Sequence, residues 1–374
     1  MVSDKSARMT LGVNSGTSMD SLDIGLFDIG CSGGEYTVSF KNSASFSFST
    51  NLEQQLYSLA GGGDISLRSL LKCDKELSLM MSSSIKEAIG EFGLNVEDID
   101  LIGSHGQTVA HYPDEKTTSQ LGDPSIICAD TGITTVGDFR RADIGAGGEG
   151  APLSPIMHQH LFAETKPIAV LNIGGIANIS YVPSINSNES PFGFDCGPGN
   201  MLIDRLCQLY YKRKYDNDGE IARSGKVIKD VVGQLKGDEF INAAPPKSTG
   251  REHYGDKFIQ KFFPGIYGKE DLICTATELT AFSVSANLKR FLSQCDKIII
   301  CGGGALNSYL LERLASYLSG YVIEKSDDYG IPSKMVECAG FALLAAMAVD
   351  RVYSDLRKTT GANKPVILGK VCYA

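Results

Sequence analysis

One carboxylate, Asp195, stands at the mouth of the run Phe194-Asp195-Cys196-Gly197-Pro198-Gly199-Asn200, near the middle of the chain. Two glycines and a proline predict a turn there that neither continues a strand nor opens as an ordinary helix. From Asn200 onward, Leu202, Ile203, Leu206, Leu209 and Tyr210 recur at helical spacing, with Asn200 as the N-cap. A glycine turn feeding a helix N-terminus presents free N–H groups and the positive end of a helix dipole, which is anion-binding geometry. Phosphate is the obvious anion. The carboxylate then either positions a metal ion or takes a proton from a nucleophile. A purely structural turn, with Asp195 capping its own backbone, is the alternative for this stretch standing alone.

Further polar loops sit at the ends of short apolar runs. Asn14-Ser15-Gly16-Thr17-Ser18-Met19-Asp20-Ser21 lies between a strand at Leu11–Val13 and another at Asp23–Ile29. Its N–H groups and hydroxyls suit a phosphate, with Asp20 or Asp23 holding Mg²⁺ through water; a plain β-hairpin is the other reading. Asp100–Gly103 is a buried-type strand opening into Ser104-His105-Gly106-Gln107-Thr108, where His105 is a base, a ligand or a holder of loop backbone. A strand at Ile133–Val136 leads to Asp138, Arg140 and Asp143, then to a glycine-rich segment at 145–150 that reads as site lining. Strands at Ile168–Ile173 and Asn178–Val182 flank Gly174-Gly175, a second hairpin that suggests an internal duplication. Lys297–Cys301 is a strand ending in Gly302-Gly303-Gly304, with Asn307 before a helix marked by Leu310, Leu311, Leu314 and Leu318. That turn offers close approach for an adenine or ribose, and it has neither Walker nor G-x-G-x-x-G spacing.

The remaining elements must position these loops. Residues 36–48 alternate as a strand pair, and Ser66 caps a long helix reaching about Phe92. Residues 211–270 turn charged and turn-rich, an inserted helical segment that ends in a basic loop at Pro245–Glu252. Thr277–Leu292 is helical, and a last helix runs from about Met335 to Tyr353 with Glu337 at its start. At 374 residues, 43% hydrophobic and 21% charged, the chain has ample material for two cores. A net charge of −9 argues against nucleic acid and anionic membranes as partners. Ten scattered cysteines without a CxxC pair suit a reducing compartment. No signal-peptide core is visible, and the apolar run Phe341–Val349 is too short to span a bilayer, so a cytoplasmic location is expected.

Eight motifs in order carry a family likeness: 14–20, 103–108, 138–140, 147–153, 171–178, 194–200, 245–252 and 301–307. Together, across nearly the whole chain, they resemble the 1,6-anhydro-N-acetylmuramic acid kinases. The resemblance implies an α/β, actin/hexokinase-like fold (ASKHA) of two duplicated domains with ATP in the cleft between the halves. The domains would be 1–137, with 335–374 packing on it, and 138–334 with an insertion at about 211–270. Gly16, Thr17, Ser18, Met19, Asp20, Ser21, Leu22 and Asp23 become ATP- and phosphate-binding, with Gly174, Gly175, Gly197, Gly199, Asn200, Gly302, Gly303, Gly304 and Asn307. Asp20 would hold Mg²⁺ through water. Asn14, Ser15, His105, Arg140 and Glu337 become sugar-binding, and Asp195 the catalytic base. In the family's reaction, water activated by the Asp attacks the anomeric carbon, and the released oxygen takes the γ-phosphoryl of ATP. The partners implied are the anhydrosugar, ATP and a second copy of the chain, a homodimer. Asn14, Ser21 and Glu149 depart from the usual pattern. Asn14 and Gly330-Ile331-Pro332 resemble the related levoglucosan kinases, so both sugars stay open. A nucleotide-binding sensor of the same fold is the third reading, against which Asp195 and the intact phosphate loops argue.

Overall fold

In a computed structural model, the described residues are 7–374 apart from 17, 18, 20 and 62–64, and the side chains of 251 and 252 are likewise outside the description. The chain begins as a three-stranded meander, β1 (Ala7–Asn14), β2 (Ser21–Ser32) and β3 (Glu35–Ser47). The expected strand pair at 36–48 is therefore one strand. The register slips by one residue between Leu26 and Phe27, opposite Lys41, and this bulge interrupts the alternation without ending the strand. Helices α1 (Thr50–Ala60) and α2 (Leu67–Glu91) follow, capped by Ser49 and Ser66 through their hydroxyls. Then come β4 (Leu101–Ser104), the hairpin β5 (Gln107–Tyr112) and β6 (Thr117–Leu121), α3 (Pro124–Thr131), β7 (Thr135–Gly137), α4 (Arg141–Gly145) and α5 (Ser154–Phe162).

A second meander follows, β8 (Ile168–Ile173), β9 (Ile176–Val182) and β10 (Phe192–Pro198), leading to α6 (Met201–Tyr211). The inserted segment folds as short helices, α7 (Glu220–Ser224), α8 (Lys229–Leu235), α9 (Glu239–Asn242), α10 (Arg251–Tyr254) and α11 (Asp256–Phe262). The long α12 (Lys269–Phe291) begins earlier than the apolar spacing predicts, because Glu270 and Asp271 favour its first turn. The chain closes with β11 (Lys297–Cys301), α13 (Ser308–Tyr317), β12 (Val322–Lys325), α14 (Val336–Val349) and β13 (Lys370–Cys372).

The chain forms two compact units, 1–162 with 335–374, and 163–334. Residues 138–162 thus lie in the first unit, not the second as expected. The reason is α5, whose Met157 packs under Gly340 of α14, where a Cβ would meet its Sδ at 2.5 Å. The first unit's sheet runs β13-β7-β4-β1-β2-β3 and the second's β10-β9-β8-β11-β12. From the meander edge inward both follow one plan. Three antiparallel strands come first, and two more lie parallel to the first of them. The duplication is therefore written in the topology.

Side-chain alternation decides what covers each face of the first sheet. Leu11 and Val13 of β1 point into a cluster with Leu52, Leu56, Leu77, Met81 and Ile85 of α1 and α2. Gly12 points the other way, in register with Gly25 and Gly103. On that strip of glycine lies α14, whose Cys338 carbonyl would sit 1.9 Å from a Cβ at Gly12, and whose Phe341 carbonyl would sit 2.2 Å from one at Gly103. In the second unit, Leu171, Ile179 and Ile300 pack with Val284 and Leu288 of α12 and Leu310 and Leu314 of α13. The helices of the insertion share a separate core with α6 and the first half of α12, around Leu206, Tyr254 and Ile273.

Candidate functional site

In the first unit, the polar residues gather where β1 and β4 end and α14 begins. Asn14, the last residue of β1, donates from Nδ2 to Glu337 Oε2 at 2.5 Å. The Ser15 hydroxyl lies 2.5 Å from Gln107 Oε1 and 3.0 Å from the Ser21 carbonyl, which ties the loop back to β5 and β2. Thr17, Ser18 and Asp20 lie outside the described residues. Met19 closes a turn onto the Gly16 carbonyl at 3.1 Å with φ +54°, and its side chain is buried. Leu22 is a core residue, fully buried against α1 and α2, so its side chain does not line a site. Asp23 Oδ1 accepts the Ser45 hydroxyl of β3 at 2.5 Å.

His105 is buried, and its two nitrogens are both engaged. Arg140 Nε donates to His105 Nε2 at 3.1 Å, so Nδ1 carries the proton and donates it to the Gly106 carbonyl at 3.1 Å. The ring stacks on Phe341 with centroids 4.5 Å apart. Burial, with the Arg140 charge adding to it, pushes the His105 pKa down to about 3. A neutral ring with a committed lone pair is no general base; His105 orients Arg140. Burial lowers the Arg140 pKa to about 10 against the opposing pull of Glu337, which leaves the guanidinium charged at neutral pH.

Arg140 is held from a second side. Its Nη1 donates to the Gly150 carbonyl at 3.3 Å, and the Gly150 N–H donates to Asp143 Oδ2 at 2.8 Å. Asp143 is fully buried, and its Oδ1 accepts the Thr360 hydroxyl at 2.7 Å. The segment around Thr360 also takes the Glu149 N–H on its carbonyl and gives the Asn363 N–H to Ala146. The glycines of 145–150 let backbone wrap this carboxylate: a Cβ on Gly148 would lie 2.2 Å from Asp143 Oδ2. The expected site lining is thus a clasp behind Arg140.

In the second unit, the run around Asp195 does continue a strand, contrary to the sequence reading. β10 extends through Pro198 because Cys196 forms a bulge between Asp195, paired with Asn178, and Gly197, paired with Ala177. Gly197 has φ +146°, which a bulge of this kind reserves for glycine. Asn287 of α12 donates to the Cys196 carbonyl at 3.2 Å. Asp195, Asn178 and Asn172 are cross-strand partners, a polar row over three strands, and Asn178 Oδ1 is buried without a hydrogen-bond partner. Asp195 Oδ2 accepts the Thr249 N–H at 2.9 Å, and the Asp195 N–H donates to the Lys247 carbonyl at 3.1 Å.

The amides after the bulge are not free. Those of Gly199, Asn200 and Met201 donate to the carbonyls of Gly174 and Gly175 at 2.8–3.0 Å. Asn200 does not cap α6 either; its Nδ2 reaches the Ile173 carbonyl at 3.2 Å. The two glycine turns therefore brace each other, and Gly197, Gly199, Asn200, Gly174 and Gly175 form one packed corner. Gly302 has φ +82°, and a Cβ there would lie 2.3 Å from Asn172 Oδ1; a Cβ on Gly304 would lie 2.4 Å from Ile173. Gly303 is exposed, and Asn307 caps α13 by accepting the Leu310 N–H at 2.9 Å. Residues to which the sequence reading gives no role are Gln107, Asp143, Asn178, Thr249 and Thr360. Gln107, Asn178 and Thr249 lie inside the motifs 103–108, 171–178 and 245–252. Thr249 acts through its backbone, which no side-chain pattern reveals.

Residues 8–374 match the family model for anhydro-N-acetylmuramic acid kinase. The chain belongs to this family. It is a phosphotransferase family, and similar relatives bear the same name. That of Caldanaerobacter subterraneus subsp. tengcongensis is 34% identical over 98% of this chain and 98% of its own, and that of Bacillus cereus strain Q1 is 35% identical over 97% and 98%. Among solved structures, the activator of 2-hydroxyisocaproyl-CoA dehydratase from Clostridium difficile covers 93% of this chain and 99% of its own, at 14% identity and a TM-score of 0.46. The ROK hexokinase of Thermus thermophilus covers 91% and 99%, at 13% identity and a TM-score of 0.40. No helix among the described residues is long and apolar enough to cross a membrane.

Proposed function

We propose that this member of the family opens a 1,6-anhydro sugar hydrolytically and phosphorylates it at O6 with ATP, and that the sugar is 1,6-anhydro-N-acetylmuramic acid. Asp195 takes a proton from water as the water oxygen bonds to the anomeric carbon and the C1–O6 bond breaks. O6 then attacks the γ-phosphorus, the bond to the β-phosphate oxygen breaks, and ADP leaves. The observation that carries this reading is the held carboxylate. Asp195 keeps its register with Asn178 immediately before the Cys196 bulge, between the core residues Phe194 and Cys196, with Oδ2 fixed by a backbone N–H.

Arg140 supports the muramyl sugar. With Nε on His105 and Nη1 on Gly150, its Nη2 remains for the carboxylate of a lactyl group. Gly16–Asp23 and the 302–307 turn are assigned to ATP. Among the described residues no cluster of three or more His, Cys, Asp or Glu is placed to hold a metal ion. Mg²⁺ would come with the triphosphate, approached by Asp20 through water, and would neutralise charge on the transferring group. Levoglucosan is the second reading, favoured by the Asn14 amide held on the Glu337 carboxyl group at 2.5 Å, a donor and acceptor pair suited to sugar hydroxyls.

The test is ADP release measured with each bridged sugar and with none. Release that depends on the muramyl sugar supports the proposal. Turnover of levoglucosan alone replaces it with the second reading, and release independent of either sugar points to the sensor.

A further inference from the structure

The basic loop at 245–252 invites a phosphate-binding role for Lys247, but its ammonium is already committed. Nζ donates to the Phe240 carbonyl at 2.9 Å and the Ile241 carbonyl at 3.0 Å, at the end of the short helix α9. Three rings surround it, Phe240 at 4.9 Å, Phe291 at 5.8 Å and Phe194 at 6.0 Å from Nζ to the centroid. A cation among ring faces and helix-end carbonyls is well placed to remain there. Burial lowers its pKa, while Cys196, Asp238 and Asp195 raise it. The backbone of this residue is what meets the site. The Lys247 carbonyl accepts the Asp195 N–H, and two residues on, the Thr249 N–H holds Asp195 Oδ2. Asn287 completes the frame, donating at 3.2 Å to the carbonyl of the bulged Cys196 and at 3.3 Å to that of Ile241, which Lys247 also binds.

We propose that Lys247 is a positioning residue for Asp195: its ammonium anchors the 247–249 segment to α9 and the aromatic cage, so that the Thr249 N–H fixes the carboxylate for the attack on the sugar. The inference rests on Asp195 being the base. It makes Lys247 a determinant of kcat and not a ligand of ATP. Without the anchor, no side chain of 247–249 among the described residues ties the segment to α9, and the Thr249 N–H loses its fixed place beside Asp195. A displacement of about 1 Å in a reacting group can cost on the order of 10²-fold in rate.

The experiment compares Lys247→Met, Lys247→Arg and Asp195→Asn, alone and with Lys247→Met combined with Asp195→Asn. Steady-state ADP release with 1,6-anhydro-N-acetylmuramic acid and with levoglucosan gives kcat and KM, calorimetry gives ATP affinity, and circular dichroism reports the fold. Lys247→Met is expected to lower kcat by roughly 10- to 100-fold with ATP affinity unchanged. Lys247→Arg, which keeps a cation for the carbonyls and rings, should recover much of the loss. In the double variant, Lys247→Met should add little to the loss from Asp195→Asn, because both act through one carboxylate. A Lys247→Met enzyme with wild-type kcat overturns the proposal, as does a full additive loss in the double variant or a weakened ATP affinity that accounts for the defect. If Lys247→Met does not fold, Phe240→Leu carries the same test by removing the nearest ring: reduced kcat at unchanged ATP affinity supports the anchor, and unchanged kcat overturns it. Near wild-type turnover by Asp195→Asn alone would instead remove the base on which the inference stands, an outcome separable from the failure of Lys247.

Discussion

Two side chains carry the chemical reading, and each is fixed by partners distant in sequence. Asp195 is oriented by Thr249, so its replacement by Asn preserves size while removing the proton acceptor. Asp195→Asn is expected to retain ATP binding and lose about 10²- to 10⁴-fold in kcat, the usual contribution of a general base, in a steady-state assay with the bridged sugar. Arg140 is oriented by His105 and Gly150, which leaves one arm of the fork for a ligand. Arg140→Lys keeps the charge and loses the planar fork. A charged hydrogen bond is worth about 1.5–3 kcal/mol, so KM for the muramyl sugar should rise roughly 10- to 100-fold. Levoglucosan lacks the carboxylate, and its KM should change little in the same assay. Equal effects on both sugars would mean that Arg140 serves the shared bridged ring.

At the scale of elements, α14 does two jobs with one surface. Its buried Ala339, Ala342, Ala345 and Ala346 let it lie close to the glycine strip of the first sheet, and that seat sets Glu337 beside Asn14. Gly12→Ala puts a methyl group 1.9 Å from the Cys338 carbonyl, one residue from Glu337, and backbone cannot swing away as a long side chain would. Overpacking of this kind costs about 1–3 kcal/mol. The variant should unfold at lower urea and show a raised sugar KM, the second readout separating displacement of Glu337 from mere loss of stability. Elements with a clean local period were legible in advance, as α2 with its Ser66 cap and β8 with its apolar run Ile168–Leu171. β10 was not. Gly197 and Pro198 look like a turn, and only the pairing with β9 and the donor from Asn287 make a bulged strand of them. The clasp on Arg140 was hidden for another reason, since Asp143 and Thr360 meet across 217 residues of sequence.

For the molecule as a whole, the repeated order of strands in the two units could be guessed from two hairpins, while the unit boundary depended on where α5 packs. Burial on this scale also leaves a pH signature. His105, His111, His158 and His160 all have lowered pKa values, each chiefly through burial, and those of His105 and His158 fall to about 3. At His105 and His158 the unfolded chain takes up protons below the ordinary histidine pKa of about 6.5, while the folded chain does not until near 3. Stability rises with pH wherever the unfolded state binds more protons. The contribution is therefore complete above about pH 6.5 and is lost progressively as pH falls toward 3. Each such histidine adds a slope of at most about 1.4 kcal/mol per pH unit in that window. His158 lies on α5, outside the candidate site, and is 3% exposed. Replacing it with Gln removes one titrating ring and leaves His105 in place. The fall in Tm between pH 7 and pH 5.5 should accordingly be smaller for His158→Gln than for the parent chain in scanning calorimetry, whatever its effect on Tm at pH 7. Equal falls in the two proteins would show that His158 takes up its proton as readily folded as unfolded.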